Sequence, residues 1–420
     1  MCAKWAGEYD VKLLLQELEV SRKRNEDTGE FEGFEGWNPF EDVTAVLHSC
    51  VKFAHDMTET DRSRIIYRSV LALGRVDDMT SDALIAEINR REGAFQELDE
   101  RRFVLATSIS IRPPNPLRNT SVSGHRITFG RYLPKRFATE HEKARELGRR
   151  DIFGEPPKWW SMFNGYSPVR VSVRARSISA AYEQSIGALD LLRGIWNLRL
   201  NKAARTSMGK RKPVNVLHLG PIHSLHEPDG RLATESYWYD PGYVEPLKNL
   251  NLHNAQDELR DFEKLVRKYL SKSQYRQDIE GAITRYTRIL DSREWNSAFV
   301  QLWSLLEYLT DTTNAPNDTT VKRALFFWHR DERDFHRQVL KHLMKYRNRT
   351  VHAGFAPEDI ETSLYQLKRY VERVLLFHVF SAPDFASIGE VAEMMQLPLA
   401  DMSILRRRRW LMDRALKYHS

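Results

Sequence analysis

The chain has 420 residues, of which 41% are hydrophobic and 29% are charged, with a net charge of +7. This balance is typical of a soluble globular protein of two or three domains and excludes an intrinsically disordered chain. No window approaches 18 consecutive apolar residues, and the first residues lack the apolar segment of a secretion signal. We therefore expect no membrane span, and with only Cys2 and Cys50 a reducing cytoplasm is the expected compartment.

The charge is distributed unevenly along the chain. Residues 1–100 contain 12 Lys and Arg against 22 Asp and Glu, a net charge of −10, so the remaining residues carry +17. The positive charge of residues 101–420 suits a polyanionic partner, because phosphate neutralisation supplies most of the non-specific affinity for nucleic acids. The alternative, that this charge only keeps the surface soluble, stays open at this point.

Residues 1–100 are predicted to form an acidic, mainly helical segment. An apolar stripe along residues 43–51 predicts a helix there. Residues 31–40, which precede it, are rich in aromatic residues, glycine and proline. This composition predicts an irregular loop.

Residues 101–245 are predicted to form a small α+β region that senses a trigger or selects a substrate. Apolar runs, one of them alternating Val with Arg or Ser, predict strands at 103–111, 127–129 and 169–175. A helix is predicted over 179–200. Residues 214–219 and 236–239 are predicted to form a hairpin around Pro228-Asp229-Gly230, and residues 240–243 mark a boundary.

Residues 246–420 are predicted to be almost entirely helical. A helical stripe of apolar side chains marks one helix, at Phe299, Leu302, Trp303, Leu306 and Leu309. A later helix opens near Ile360 and repeats apolar residues at helical spacing up to His378. The predicted fold class is therefore multidomain and mainly α.

Between these two helices lies the segment 346–354, which combines a guanidinium, a carboxamide and an imidazole in Arg347, Asn348 and His352. An imidazole can move protons near neutral pH, and a guanidinium can hold a phosphate in bidentate fashion. Asn348 and His352 share a face if the segment is helical, whereas Arg347 and His352 lie about 140° apart. The pair converges on one phosphate only if the helix ends near Gly354 or if a second copy of the chain completes the site.

The pairing of Trp303-x-x-Leu306-Glu307 with the later Arg347-Asn348-x-x-x-His352 resembles the ApeA-like branch of the HEPN superfamily. The resemblance covers about residues 255–385. It implies an all-α HEPN helical bundle within residues 246–420 that usually forms a homodimer, with the Arg and His of both copies in a shared cleft.

Many members of this superfamily are metal-independent endoribonucleases of toxin and anti-phage systems, and they leave a 2′,3′-cyclic phosphate. The resemblance implies that Arg347 would stabilise the phosphorane and that His352 would act as general acid or base. Asn348 would position the phosphate or the imidazole, and Glu307 would be an auxiliary residue that orients the Arg. No cofactor or metal is expected. The expected partners are tRNA or mRNA, a second copy of the chain and a phage-derived trigger.

The alternative from a different class is a non-catalytic RNA-binding or dimerisation scaffold protein with a HEPN-like domain. Some relatives in the superfamily have lost catalysis, although the intact Arg-Asn-x-x-x-His argues against that here. The sequence contains no Walker, Gly-x-Ser-x-Gly or His-Glu-x-x-His motif, so no motif supports another class of hydrolase.

Two other constellations leave alternatives open. His218, His223 and His226 are close enough in sequence to suggest a zinc site, but without a thiolate we favour surface or loop histidines. The Arg406–Arg409 run predicts either a phosphate-binding arm or a solvated helix with Trp410 and Leu411 packed inward.

Overall fold

The computed structural model describes residues 2–7, 9–76, 79–114, 117–155, 160, 165–203, 212–240, 248–353, 360–397 and 402–419. Within these ranges only the backbone is described for residues 37–38, 153, 351–353 and 419. The described residues form a mainly helical fold with a small sheet region, which confirms the coarse prediction. Among them, no single helix is long and apolar enough to cross a membrane. One pair of helices, bent by 109° between Asp384 and Ile388, passes that test only when joined.

The N-terminal segment is a small helical unit with its own core. Its helices are α1 (Val11–Val20), α2 (Trp37–Cys50), α3 (Glu59–Leu73) and α4 (Ser81–Gln96). Two short antiparallel pairs accompany them: β1 (Lys4–Trp5) with β4 (Val51–Lys52), and β2 (Arg22–Arg24) with β3 (Phe31–Phe34). Leu18, Leu47, Val70 and Ile88 are fully buried between the helices.

The loop predicted for residues 31–40 is wrong, because this segment holds strand β3 and the start of α2. The phenylalanines that suggested an exposed loop pack against one another instead, with ring centroids 5.2 Å apart for Phe31 and Phe34 and 5.3 Å apart for Phe34 and Phe40. Pro39 falls in the first turn of α2, where its missing N–H would have no partner within the helix.

The central element is a six-stranded antiparallel sheet in the order β10-β9-β5-β8-β7-β6. Its strands are β5 (Arg101–Ile109), β6 (Thr120–Val122), β7 (His125–Phe129), β8 (Ser167–Ala175), β9 (Ile222–His226) and β10 (Trp238–Tyr239). The alternation predicted for residues 169–175 is confirmed. Val169, Val171 and Val173 are buried, and the intervening arginines point to the other face, where Arg170 lies over the Phe137 ring.

The predicted hairpin is only half correct. Strand β9 pairs with β10, with Trp238 opposite His223, but residues 214–219 form no strand. The backbone there bonds elsewhere: the N–H groups of Val214 and Asn215 donate to Leu290 O (3.0 and 3.1 Å). Asn197 bonds both the N–H and the carbonyl of Leu217, at 3.0 and 3.1 Å. Leu219 pairs with β5 only through an isolated bridge to Ile109, and the end of α8 and a buried amide bond the residues before it.

Two helices cover the sheet, α5 (Lys135–Phe153) and α6 (Ile178–Leu200). Two residues of β9 that are three positions apart, and so point to opposite sides of the sheet, show that the helices lie on opposite faces. His226 contacts Phe137 of α5, and His223 contacts Tyr182 of α6. The helix predicted over residues 179–200 agrees with α6 to within one residue. Helix α6 is buried on several sides because α8 packs against its outer face.

The C-terminal region consists of helices α7 (Gln256–Leu270), α8 (Arg276–Asp291), α9 (Trp295–Leu309), α10 (Asn317–Ala324), α11 (Arg333–Ala353), α12 (Ile360–Ser381), α13 (Ile388–Met395) and α14 (Met402–His419). The apolar stripe predicted for α9 is buried throughout. A single hydrophobic core extends from the sheet through α6 and α8 to α9 and α12. The boundary predicted near 245 falls on residues 241–247, which lie outside the described residues.

Helix α14 differs from its prediction. Trp410 and Leu411 are 45% and 49% exposed, so the expectation that they pack inward is wrong. Arginines from the same helix cover the indole instead, with the Arg407 and Arg414 guanidinium carbons 4.2 and 5.3 Å from the centre of the Trp410 ring. A cation–π contact of this kind shields an exposed aromatic ring without burying it.

Helix α6 packs closely on α8 at Gly194, so we expect a larger residue there to destabilise the fold. A Cβ added there would lie 2.2 Å from Thr287 Oγ1 and 2.7 Å from Ile283 Cγ2. We expect Gly194→Ala to lower the free energy of unfolding by about 1–3 kcal/mol through overpacking. Gly187→Ala on the same helix meets nothing within 4 Å and should raise it by about 0.5–1 kcal/mol. Urea unfolding measures both, and equal effects of the two variants would contradict the packing described.

Candidate functional site

The motif residues lie at the C-terminal end of α11, where Tyr346 anchors the helix to α9. The Tyr346 ring is buried against Phe299, with ring centroids 4.7 Å apart. Its hydroxyl donates to Asn296 Oδ1 at 3.2 Å. Because both contacts come from the first turns of α9, the end of α11 is held at a fixed position along that helix.

Arg347 follows the anchor directly and is half-buried as a result. Its Nη1 donates to Asn348 Oδ1 at 3.4 Å. Its Nε is buried and has no hydrogen-bond partner among the described residues. A guanidinium has five N–H donors, and a buried donor without a partner is unfavourable. The guanidinium of Arg347 is therefore held through Nη1, while its other N–H groups have no partner among the described residues.

Asn348 connects this guanidinium to a second helix. Its Oδ1 accepts from Arg347 Nη1 and also from Asn317 Nδ2, the latter at 3.2 Å. Asn317 is the first residue of α10. The carboxamide oxygen thus fixes the position of Arg347 relative to the start of α10.

Glu307 has a different environment from the one that the resemblance implies. Its carboxylate is buried and accepts a hydrogen bond from Trp303 Nε1, one turn earlier on α9, at 2.7 Å. No hydrogen bond or ion pair joins it to Arg347 among the contacts of the described residues. This carboxylate satisfies the indole N–H of a fully buried tryptophan, which would otherwise have no acceptor in the core.

His352 lies in the last turn of α11 by its backbone, and its side chain is outside the described residues. Helix α11 ends at Ala353, and Gly354 lies outside the described residues. The structure thus brings Arg347 and Asn348 together, joins Asn348 to Asn317, and pairs Glu307 with Trp303. Asn348 and His352 are one helical turn apart in α11, so their backbone positions lie on the same face of the helix.

Elsewhere the structure contains a buried ion network that sequence analysis did not identify. Arg193 donates from Nη2 to Asp190 Oδ1 (2.7 Å) and from Nη1 to Asp291 Oδ1 (2.9 Å). Burial is the largest single influence on Asp291 and opposes its ionisation, but the charges of Arg193 and His218 and the hydrogen bonds from Arg193 and Asn215 together hold the pKa of this carboxyl below its ordinary value. The network joins α6 to α8. Asp190 and Arg193, three apart within the apolar stretch 186–195 of α6, were the signal that could have revealed it.

The prediction of surface or loop histidines is wrong for His223 and His226, which are buried in strand β9, whereas His218 lies in the irregular segment before it but is also buried. His223 Nδ1 lies 2.7 Å from Thr107 Oγ1, and His226 Nε2 lies 2.8 Å from Ser224 Oγ. His218 Nε2 bonds Asn215 O at 2.7 Å. Each ring has its own partners because strand β9 and the segment before it lie beneath helices α5 and α6. Among the described residues, no group of three metal-ligating side chains could hold a metal ion.

Comparison with family models, curated proteins and solved structures found no match to this chain. The resemblance to the HEPN superfamily therefore rests on the motif residues alone.

The contact between Glu307 and Trp303 predicts how two variants of this carboxylate differ. Glu307→Gln keeps an acceptor oxygen for the indole N–H, so we expect the free energy of unfolding to change by less than about 1 kcal/mol. Glu307→Ala leaves that N–H unpaired and should cost about 1–3 kcal/mol. Urea unfolding of both variants tests this. A loss as large for Gln as for Ala would show that the negative charge, not the acceptor, matters.

The buried histidines predict loss of stability in mild acid. Burial lowers the pKa of His141 to about 3 and those of His223 and His378 to about 4. Because these values lie below the ordinary value of 6.5, their contribution is complete above pH 6.5 and is lost as pH falls towards 4. Each group contributes a slope of at most about 1.4 kcal/mol per pH unit.

Urea unfolding at pH 7 and pH 5 measures this slope. We expect a clear fall for the wild type and a smaller one for His378→Gln. His253, an exposed residue, provides the matched control, since His253→Gln should show the same fall as the wild type. A wild-type stability that is equal at both pH values would contradict the prediction.

Proposed function

We propose that the chain is a metal-independent endoribonuclease of the HEPN type, the effector of a bacterial toxin or anti-phage abortive-infection system. The observation that carries the proposal is the state of Arg347: half-buried, held through Nη1 by Asn348, and with Nε buried without a partner among the described residues. A planar guanidinium with uncommitted donors is suited to bind the two non-bridging oxygens of a phosphodiester.

In the proposed reaction, the 2′-oxygen of one ribonucleotide attacks the adjacent phosphorus. The bond from phosphorus to the 5′-oxygen breaks, which leaves a 2′,3′-cyclic phosphate and a 5′-hydroxyl. His352 transfers the proton, accepting it from the 2′-hydroxyl or giving it to the departing oxygen. Arg347 compensates the charge that develops on the non-bridging oxygens, and Asn348 keeps the guanidinium in place.

The proposed reaction needs both a base and an acid, which favours a site shared by two copies of the chain. Arg347 and His352 are about 140° apart around α11, a helix that continues to Ala353. A homodimer with two such helix ends in one cleft would supply two guanidinium groups and two imidazoles. The N-terminal segment and the α+β region would then serve to sense a phage-derived trigger or to select tRNA or mRNA.

The test is cleavage of total tRNA by the purified full-length protein in EDTA, with analysis of product ends. We expect cyclic phosphates from the wild type. Arg347→Ala and His352→Ala should lower the rate by about 10²-fold or more. Arg347→Lys should also fail, because it keeps the charge but loses the planar fork.

Arg349→Ala is the matched control, since it removes an exposed guanidinium from the same turn and should retain activity. Toxicity of the wild type on expression, compared with His352→Ala, detects an enzyme that needs a cellular trigger. Undiminished cleavage by His352→Ala would end the assignment. A gel shift without cleavage or toxicity would identify the non-catalytic scaffold instead.

A further inference from the structure

A groove with a basic rim lies between α10 and the first half of α11. It encloses a cavity of about 540 Å³. Its cationic lining residues are Lys322, Arg330, Arg333, Arg337 and Lys341, against two carboxylates, Asp318 and Asp334. The local excess of positive charge is far greater than the average along the chain.

Three of these cations are uncommitted. Lys322, Arg330 and Lys341 are exposed and have no hydrogen-bond or ion-pair partner among the described residues. The other two have partners, because Arg337 pairs with Asp334 and Arg333 Nε donates to Trp328 O at 2.9 Å. Uncommitted cations on facing helices are the donors that a phosphate chain can bind without breaking existing ion pairs.

The groove is aligned with the candidate site. At 3.6 residues per turn, Arg337, Lys341 and Asn348 lie within about 40° of one another around α11, so they share one face. On the other wall, Asp318 lines the groove and its neighbour Asn317 donates to Asn348 Oδ1 at 3.2 Å. The lining of the groove therefore ends about 10 Å along α11 from the carboxamide that holds Arg347, on the same face of the helix.

We propose that this groove binds the phosphate backbone of single-stranded RNA and directs it to Arg347. This inference deepens the proposed ribonuclease function and depends on it for the identity of the polyanion. The distance suits a short stretch of chain, since Arg333 to Asn348 spans about 22 Å of helix. Leu397, which is 36% exposed, lines the same cavity as the buried Val321 and Leu325 and offers an apolar contact to an unstacked base, which a duplex would not present.

The probe is a fluorescein-labelled 2′-O-methyl oligouridylate, whose blocked 2′-oxygen prevents cleavage. Binding is measured by fluorescence anisotropy between 50 and 300 mM salt, conditions chosen to resolve the logarithmic slope. The double variant Lys322→Ala/Lys341→Ala should bind about tenfold more weakly at 100 mM salt. Its slope should be smaller by about 1.4, since each lost phosphate contact on a single strand removes about 0.7.

The matched control is Lys268→Ala/Lys272→Ala, at and just after the end of α7, which removes the same charge from exposed positions that do not line the groove. It should bind as the wild type does. An equal loss in both double variants, an unchanged slope for the groove variant, or no binding by the wild type would overturn the inference. Because the probe cannot be cleaved, these results are independent of the tRNA assay, in which failure of the proposed function itself would be seen.

Discussion

The candidate site depends on the burial of Tyr346. Its ring fills the space beside Phe299, and its hydroxyl reaches Asn296, so the C-terminal end of α11 is fixed against the start of α9. The next residue on the helix is consequently held at the border between core and solvent. Arg347 therefore keeps part of its guanidinium in the protein, where electrostatic interactions are stronger than in water, while the rest is accessible.

Away from the candidate site, the fold contains polar groups that are buried and paired. Arg193 and Asp291 join α6 to α8, and His226 and Ser224 bond to each other under α5. Such groups contribute little net stability when paired and cost much when one partner is lost. Arg347 Nε is one of the buried polar atoms without a hydrogen-bond partner among the described residues, as is Arg323 Nε on α10.

The sequence predicted what depends on local periodicity. Three such elements are present in the structure: the helix of residues 179–200, the strand with alternating valines and the buried stripe of α9. They could be predicted because the period of a helix or strand determines which of its side chains are apolar. The sequence could not predict contacts made between distant segments. Residues 31–40 and 214–219 were assigned by composition and pattern, but aromatic packing and the helix end at Leu290 decided their structure.

Within the site, the motif predicted that Arg347 and Asn348 are neighbours. Two contacts could be found only in the folded structure: the contact of Asn348 with Asn317, thirty-one residues away, and the contact of Glu307 with Trp303.

The central claim is that Arg347 binds a phosphate of RNA directly through the accessible N–H donors of its guanidinium. Arginine-selective ¹⁵N NMR of the full chain tests this most directly, with the Nη resonances of Arg347 assigned from the Arg347→Lys spectrum. On addition of the uncleavable oligouridylate, the account predicts a downfield proton shift and slower solvent exchange at these Nη–H groups. Nη resonances that stay unchanged when the oligonucleotide is saturating would contradict it.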